Sequence, residues 1–67
     1  MKRQKLIKHL LINNCALERE GANHSWYKNI KTGYRSAVPR HTEISDILAS
    51  IICKQLGIPK IKNESKK

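Results

Sequence analysis

The sequence has 67 residues, with 14 Lys and Arg against 5 Asp and Glu and a formal net charge of +9. A chain of this length forms at most one small domain, which buries only roughly 60% of its unfolded surface and leaves no room for a large internal cavity. The charge favours a polyanionic partner, with nucleic acid first, an acidic protein second and an anionic membrane third.

No apolar run approaches the roughly 18 residues that a membrane span needs. The basic start resembles that of a signal peptide, but Leu6 and Ile7 are followed at once by Lys8, so no apolar signal core forms. We therefore expect a cytosolic (cytoplasmic) protein without a membrane partner.

Cysteine usage predicts neither a disulfide scaffold nor a metal site. Cys15 and Cys53 are the only two cysteines and are far apart in the sequence. Together with His24 and His41 they would provide four zinc-ligand side chains, but their spacing matches no known zinc finger. We predict no metal and no cofactor.

The chain begins with a predicted amphipathic helix from Lys2 to Asn13. Its apolar residues fall on one stripe at a period of 3.6, formed by Leu6, Ile7, Leu10 and Leu11. Lys5 lies outside that stripe, on a basic side that could touch phosphates. Asn13-Asn14 predicts the end of the helix, since Asn accepts the left-handed conformation there.

Three short strands should follow, at Cys15 to Glu20, His24 to Ile30 and Tyr34 to Val38. In the first strand, Leu17 is expected to face the core. Gly21 to Asn23 is predicted to be a tight turn, because Gly and Asn tolerate a positive φ. Gly33 predicts the next turn, and Pro39 ends the third strand because it cannot donate to a ladder.

The second strand presents a conflict between its apolar residues and its alternation. We expect Trp26 to point into the core and Tyr27 to be more exposed. Strict alternation would then direct His24 inward with Trp26. His24 could avoid burial because it lies at the strand edge, next to the turn.

A second helix has the clearest periodicity in the chain. Its apolar ladder consists of Ile44, Ile47, Leu48, Ile51, Ile52 and Leu56. Thr42 or Ser45 can cap its start, and Gly57 is placed to end it. We expect one domain over residues 1–61 and a flexible basic tail over 62–67.

The predicted order is thus α-β-β-β-α, an α+β fold. Both helices have one apolar stripe, so the simplest arrangement places them on one face of a three-stranded antiparallel sheet. Double-stranded-RNA-binding domains use this topology.

The sequence also resembles a known family, the HicA toxins, also called YcfA-like. The resemblance covers residues 2–59 and depends on features that occur in the same order, namely the opening helix, Gly21-x-x-His24, Trp26-Tyr27-Lys28, Val38-Pro39-Arg40-His41 and the closing Leu56-Gly57-Ile58-Pro59. These are small mRNA interferases of bacterial and archaeal toxin–antitoxin pairs, with a double-stranded-RNA-binding-like fold.

The resemblance implies ribosome-independent cleavage of mRNA with His24 as the catalytic residue. The sequence offers no carboxylate cluster to hold a metal, so we expect this cleavage to be metal-independent. Asn23 stands where the family usually has Ser or Thr. The resemblance also implies a HicB-type antitoxin that covers the His24 surface. RNA supplies its own 2′-hydroxyl nucleophile, and the histidine side chain suits the proton transfer because it titrates near neutral pH.

Five further residues are predicted to contact RNA. Lys28, Arg35 and Arg40 could neutralise the phosphate and its transition-state charge, and Lys5 could add to this attraction. Tyr27 could stack on a base. For His41 a structural role and an RNA contact both remain open.

Two other functions fit the charge without using His24 as a catalyst. The first is a non-catalytic RNA-binding module of the same fold, which would bind RNA and leave it whole. The second is a small adaptor whose basic surface binds an acidic protein, with little of the salt dependence that phosphate contacts require.

Overall fold

A computed structural model of the protein describes residues 1–61, and the predicted tail over 62–67 lies outside these residues. Five elements follow in the predicted order. They are α1 (Arg3–Ile12), β1 (Cys15–Glu20), β2 (His24–Asn29), β3 (Arg35–Pro39) and α2 (Asp46–Leu56). The α-β-β-β-α prediction is therefore confirmed.

The three strands form one open antiparallel sheet in the order β1-β2-β3. β1 contains an irregularity between Leu17 and Arg19, where Glu18 is an extra residue without a partner on β2. From this bulge onward, Arg19 lies opposite Trp26. A bulge of this kind changes the side of the sheet to which the following residues point.

The turn residues behave as predicted at two of three places. Asn14, after α1, has φ 68°, and Gly33, between β2 and β3, has φ 85°. The predicted Gly21–Asn23 turn is present, closed by a hydrogen bond from Gly21 N–H to the His24 carbonyl oxygen at 2.8 Å, but neither Gly21 nor Asn23 has the positive φ expected there. The space beside Gly21 is tight, because a Cβ on it would lie 3.1 Å from Trp26 Nε1 and 3.2 Å from the His24 carbonyl oxygen.

Both helices pack on the same face of the sheet, which we call the helix side. One buried cluster joins residues of the two helices to residues of all three strands, and it contains Leu6, Leu10, Cys15, Tyr27, Val38, Ile44, Ala49, Ile52, Cys53 and Leu56. This single core confirms the predicted two-layer arrangement. Among residues 1–61, no helix combines the length and apolar character needed to cross a bilayer.

β2 has the opposite orientation to the one predicted. Tyr27 is buried with 7% of its surface exposed, whereas Trp26 is only half-buried. Two polar residues on the helix side, Ser25 and Asn29, are buried together with Tyr27. Asn29 Nδ2 donates to the Leu56 carbonyl oxygen at 2.8 Å, so this strand places hydrogen-bonding side chains, and not its largest apolar one, toward the core.

The apolar stripes of the helices are also turned relative to the prediction. Leu6 and Leu10 of α1 are buried as expected, but Leu11 is exposed. In α2 the buried residues are Ala49, Ile52, Cys53 and Leu56, while Ile47 and Ile51 are exposed. Small Ala and Cys side chains allow the helix to approach the sheet closely, which favours their side over the isoleucine side.

Two capping residues set the bounds of α2. Ser45 Oγ accepts a hydrogen bond from the Leu48 backbone N–H at 3.1 Å, so Ser45 and not Thr42 is the N-cap. Gly57 ends the helix at φ 71°, as predicted. On β1, Leu17 is paired with Tyr27 and so points to the helix side as expected, but it stays exposed because β1 is an edge strand.

Candidate functional site

The candidate site lies on the side of the sheet that faces away from the helices, which we call the outer face. It is defined by residues whose side chains alternate with those of the core, namely His24, Trp26 and Lys28 on β2, Arg19 on β1 and Arg35 on β3. Neighbouring strands place Arg19 opposite Trp26 and Arg35 opposite Lys28. Four of these five side chains are aromatic or cationic, and the fifth is the histidine.

His24 is the first residue of β2 and is exposed to solvent. Its backbone is held on both sides, because its carbonyl oxygen accepts from Gly21 N–H at 2.8 Å and its Cα is paired with Pro39 on β3. The expectation that His24 avoids burial holds, but the reason differs from the one predicted. The imidazole is exposed because His24 and Trp26 belong to the set of alternating β2 residues whose side chains point to the outer face.

Trp26 forms the aromatic part of the outer face. Its ring lies against Gly21 on one side, where any side chain at Gly21 would crowd it. The Arg19 guanidinium carbon lies 5.2 Å from the centre of the Trp26 ring, which is a cation–π distance. Trp26 is two residues from His24 on the same strand, so the two side chains are neighbours on one face.

Arg35, predicted to contact phosphate, is paired within the protein. Its guanidinium makes two hydrogen bonds to the Glu18 carboxylate, at 2.7 and 3.1 Å. These bonds lower the pKa of Glu18 and raise the pKa of Arg35. Since Glu18 lies on β1 and Arg35 on β3, the pair spans the outer face across β2, beside Lys28. Of the cations predicted to contact RNA, Lys28 is therefore the one that lies on this face and is not held by two hydrogen bonds to a carboxylate.

Tyr27 cannot serve as the predicted stacking residue. Its ring is buried on the helix side, and burial raises the pKa of its phenol above the ordinary value. The aromatic residue available on the face of His24 is Trp26. Sequence reasoning missed it because tryptophan was assigned to the core on its size and apolar character.

The other predicted contacts lie away from the outer face. Arg40 is exposed just beyond β3, where its guanidinium donates to the Gly21 carbonyl oxygen and lies 3.5 Å from Glu20. Lys5 is exposed on α1, which packs on the helix side. His41 is exposed in the connection to α2. The structure therefore brings Lys28 and Arg35 to the face of His24, but not Lys5.

A second residue that sequence reasoning missed is Arg3, in the first turn of α1. Its guanidinium donates to the Pro39 carbonyl oxygen at 2.8 Å and to Ser25 Oγ at 3.0 Å. Its partners are 36 and 22 residues away in the sequence. No local pattern could distinguish this arginine from the other cations of the basic N-terminal segment.

The described residues contain no cluster of side chains suited to bind a metal ion. Within residues 1–61, no three His, Cys, Asp or Glu side chains are grouped so as to hold a metal ion. Cys15 and Cys53 are both buried free thiols, and burial raises the pKa of each. The outer face therefore offers an imidazole, an indole ring and cations, a set suited to proton transfer, stacking and phosphate attraction.

Comparison of the chain with protein-family models, with curated proteins and with solved structures found no match. The fold and the site are therefore interpreted from their own geometry. The resemblance to the HicA toxins stays a prediction from the sequence.

Proposed function

We propose that this protein is an endoribonuclease that cleaves mRNA with His24 as its single catalytic histidine. The observation that carries the proposal is an exposed imidazole on a fixed strand backbone, next to Trp26 and on the same face as Lys28. The sequence resemblance to the HicA toxins supports the same residue. The net charge of +9 supports a polyanionic substrate.

The reaction needs few groups from the protein, because RNA carries the nucleophile. The 2′-oxygen of a ribose attacks the adjacent phosphorus, and the bond from phosphorus to the 5′-oxygen of the next nucleotide breaks. His24 takes the proton of the 2′-hydroxyl, and the departing 5′-oxygen takes a proton from solvent. The products are a 2′,3′-cyclic phosphate and a 5′-hydroxyl, and a positioned base of this kind typically contributes ~100- to ~10,000-fold.

The neighbours of His24 would bind and orient the strand. Lys28 lies on the same face but four residues along the strand, roughly 13 Å from His24, so it would attract a neighbouring phosphate of the bound RNA. The exposed part of Trp26 would stack on a base beside the cleaved linkage, a contact worth about 1–3 kcal/mol per base. Arg35 would contribute only if RNA competed with Glu18 for its guanidinium, so we give it the smaller role.

We further propose that the protein acts in the cytoplasm as the toxin of a type II toxin–antitoxin pair. A ribonuclease in the compartment of its own mRNA must be restrained. A HicB-type antitoxin that covers the His24 surface would do so, and an acidic protein would be attracted by the basic surface. Failure of a co-expressed, adjacently encoded acidic protein to relieve growth inhibition would contradict this part of the proposal.

A non-catalytic RNA-binding module is the second candidate. The observation that favours it is the stacked Arg19 and Trp26, which with Lys28 would bind single-stranded RNA without any use of the imidazole. Such a protein would retard RNA in a gel and leave it intact.

The decisive experiment measures cleavage of an mRNA fragment in EDTA by the unchanged protein, by His24→Ala and by the control His41→Ala. His41 is an exposed histidine close in sequence to the end of β3, so its removal matches the chemistry of the first substitution. We expect His24→Ala to lose at least ~100-fold in rate while keeping its fold and RNA affinity, and His41→Ala to stay active. Equal activity of the two variants would remove His24 from the mechanism, and uncleaved RNA with the unchanged protein would favour the binding module.

A further inference from the structure

A concave basic pocket lies on the helix side of the protein, at the start of α1. It is a cavity of about 420 Å³ lined by Lys2, Arg3, Gln4, Arg40 and Thr42. Three of these side chains are cations, the other two are neutral and polar, and none is a carboxylate. A lining of this composition favours an anion with several oxygen acceptors.

Arg3 is the fixed and least compensated cation of this pocket. Its Nε and one terminal nitrogen donate to Pro39 and Ser25, which leaves three of its five N–H groups unused by those two bonds. Within residues 1–61, no carboxylate oxygen lies within the 4.0 Å of an ion pair to Arg3. Ser25 Oγ, which accepts from Arg3, donates to the Glu20 carboxylate, so Arg3 is linked to an acid only through that hydroxyl. A half-buried, rigid guanidinium with no carboxylate in direct contact is preorganised for an oxyanion.

The other two cations of the pocket are partly neutralised and more exposed. Lys2 lies 3.3 Å from Glu43, and Arg40 lies 3.5 Å from Glu20. Both carboxylates are themselves more than half exposed, so their pairing with the cations is screened by water. These cations can therefore add attraction to a ligand that Arg3 positions.

The pocket lies at the same end of the sheet as His24. The two acceptors of Arg3 are on Pro39, which is paired with His24 across the strands, and on Ser25, which follows His24 in the chain. The imidazole points to the outer face, whereas Arg3 holds the same backbone from the helix side. A strand that passes around this end of the sheet would meet both.

We propose that the pocket binds a backbone phosphate of RNA, one neighbouring the linkage that faces His24. The planar guanidinium of Arg3 would bind two phosphate oxygens, and Gln4 and Thr42 could donate to the same group. The choice of RNA as the source of the phosphate rests on the proposed function, whereas the anion site rests on the pocket alone. The pocket would thus hold the strand in place while His24 acts on the next linkage.

The first test measures the affinity of the full chain for a 2′-O-methyl RNA oligonucleotide, which lacks the nucleophile and stays intact. Gln4→Glu puts a carboxylate into the pocket. The substitution is compatible with the fold, because an acidic side chain is favourable in the first turn of a helix and the first turn of α1 has none. Lys54→Gln, on the exposed side of α2, changes the net charge by the same single unit. We expect Gln4→Glu to weaken binding about tenfold and to reduce the salt slope by ~0.7, and Lys54→Gln to weaken it by about twofold or less.

The second test uses inorganic phosphate as the probe and follows nitrogen–proton NMR signals of the same proteins. Phosphate should shift the Arg3 Nε signal and the backbone amide signal of residue 4 in the unchanged protein and in Lys54→Gln, but not in Gln4→Glu. Shifts spread evenly over all cations would show that the pocket is not an anion site. Phosphate binding at the pocket without an effect on the RNA would identify a site for a free anion and overturn the assignment to RNA.

The two proposals fail separately in these experiments. If His24→Ala still cleaves RNA while Gln4→Glu loses RNA affinity, the catalytic role of His24 is refuted and the phosphate site stands. If His24→Ala is inactive while Gln4→Glu binds RNA normally, the nuclease proposal stands and the assignment of the pocket to an RNA phosphate is refuted.

Discussion

The orientation of β2 decides which residues accompany His24, and a pair of substitutions tests it. Tyr27 is buried in the core at 7% exposure, whereas Trp26 is half-buried on the outer face. Removal of a buried aromatic side chain costs about 3–5 kcal/mol, so Tyr27→Ala should lose that amount. Trp26 lies beside Gly21 and Arg19 and keeps part of its surface in water, so Trp26→Ala should cost only about 1–2 kcal/mol.

These values are large for so small a domain. At ~0.05–0.15 kcal/mol per residue, a chain of 67 residues has a free energy of unfolding of about 3–10 kcal/mol. Tyr27→Ala could therefore leave much of the protein unfolded. Tyr27→Leu keeps an apolar side chain in the core and provides a folded variant of the same position.

Urea unfolding followed by far-ultraviolet circular dichroism measures all three variants. Fluorescence does not serve, because Trp26 is the only tryptophan. The same proteins should differ in the opposite sense toward RNA, with affinity reduced about tenfold by Trp26→Ala and unchanged by Tyr27→Leu. A larger loss of stability from Trp26→Ala than from Tyr27→Ala would refute the assignment and would direct His24 toward the helices.

Two further predictions concern the end of α2 and the outer-face ion pair. Gly57→Ala should lower the free energy of unfolding by at least about 1–2 kcal/mol, since φ is 71° there and a Cβ would lie 2.9 Å from the Tyr34 ring. Adding Tyr34→Ala should recover the part of that loss that comes from the contact with the ring. If urea unfolding shows no recovery, the predicted contact is wrong. NMR titration should give Glu18 a pKa below its ordinary value of 4.5, because Arg35 donates hydrogen bonds to its carboxylate. The stability that this pair contributes is therefore present above pH 4.5 and is lost as the pH falls through the lower pKa of the folded state. Arg35→Gln should return the Glu18 midpoint upward, and an unshifted midpoint in the unchanged protein would count against the pair.

The order of elements could be predicted from the sequence because local chemistry determines it. Asn14 and Gly33 mark turns through their left-handed backbone, and Gly57 ends α2 in the same way. Their positions fix where each element stops, within a residue or two. The apolar residues between them then leave one economical packing, with two helices on one face of a sheet.

The side to which each element points could not be predicted from apolar character alone. In β2, the buried side is decided by Ser25 and Asn29, whose hydrogen bonds reach Arg3, Glu20 and the end of α2. In α2, the buried side is decided by small residues that permit a close approach to the sheet. Both depend on residues distant in the sequence, which a periodic pattern does not record.

The candidate site was only partly accessible to sequence reasoning. His24 could be singled out from the turn before it and from the family resemblance, and its exposure is a property of the structure. Its predicted companions were chosen by charge and position along the chain. The structure gives Arg35 an internal partner and buries Tyr27, and it brings forward Arg3, whose contacts are all long-range.

The single extra residue in β1 decides the sign of the charge that faces the imidazole. If β1 were regular, Glu20 would be placed opposite His24 and would present a carboxylate to any approaching phosphate. The insertion at Glu18 instead turns Glu20 to the other side, opposite Ser25, and puts Arg19 over Trp26. The bulge thus keeps the Glu20 carboxylate off the face that His24 shares, while the Glu18 carboxylate that remains on that face is bonded to Arg35.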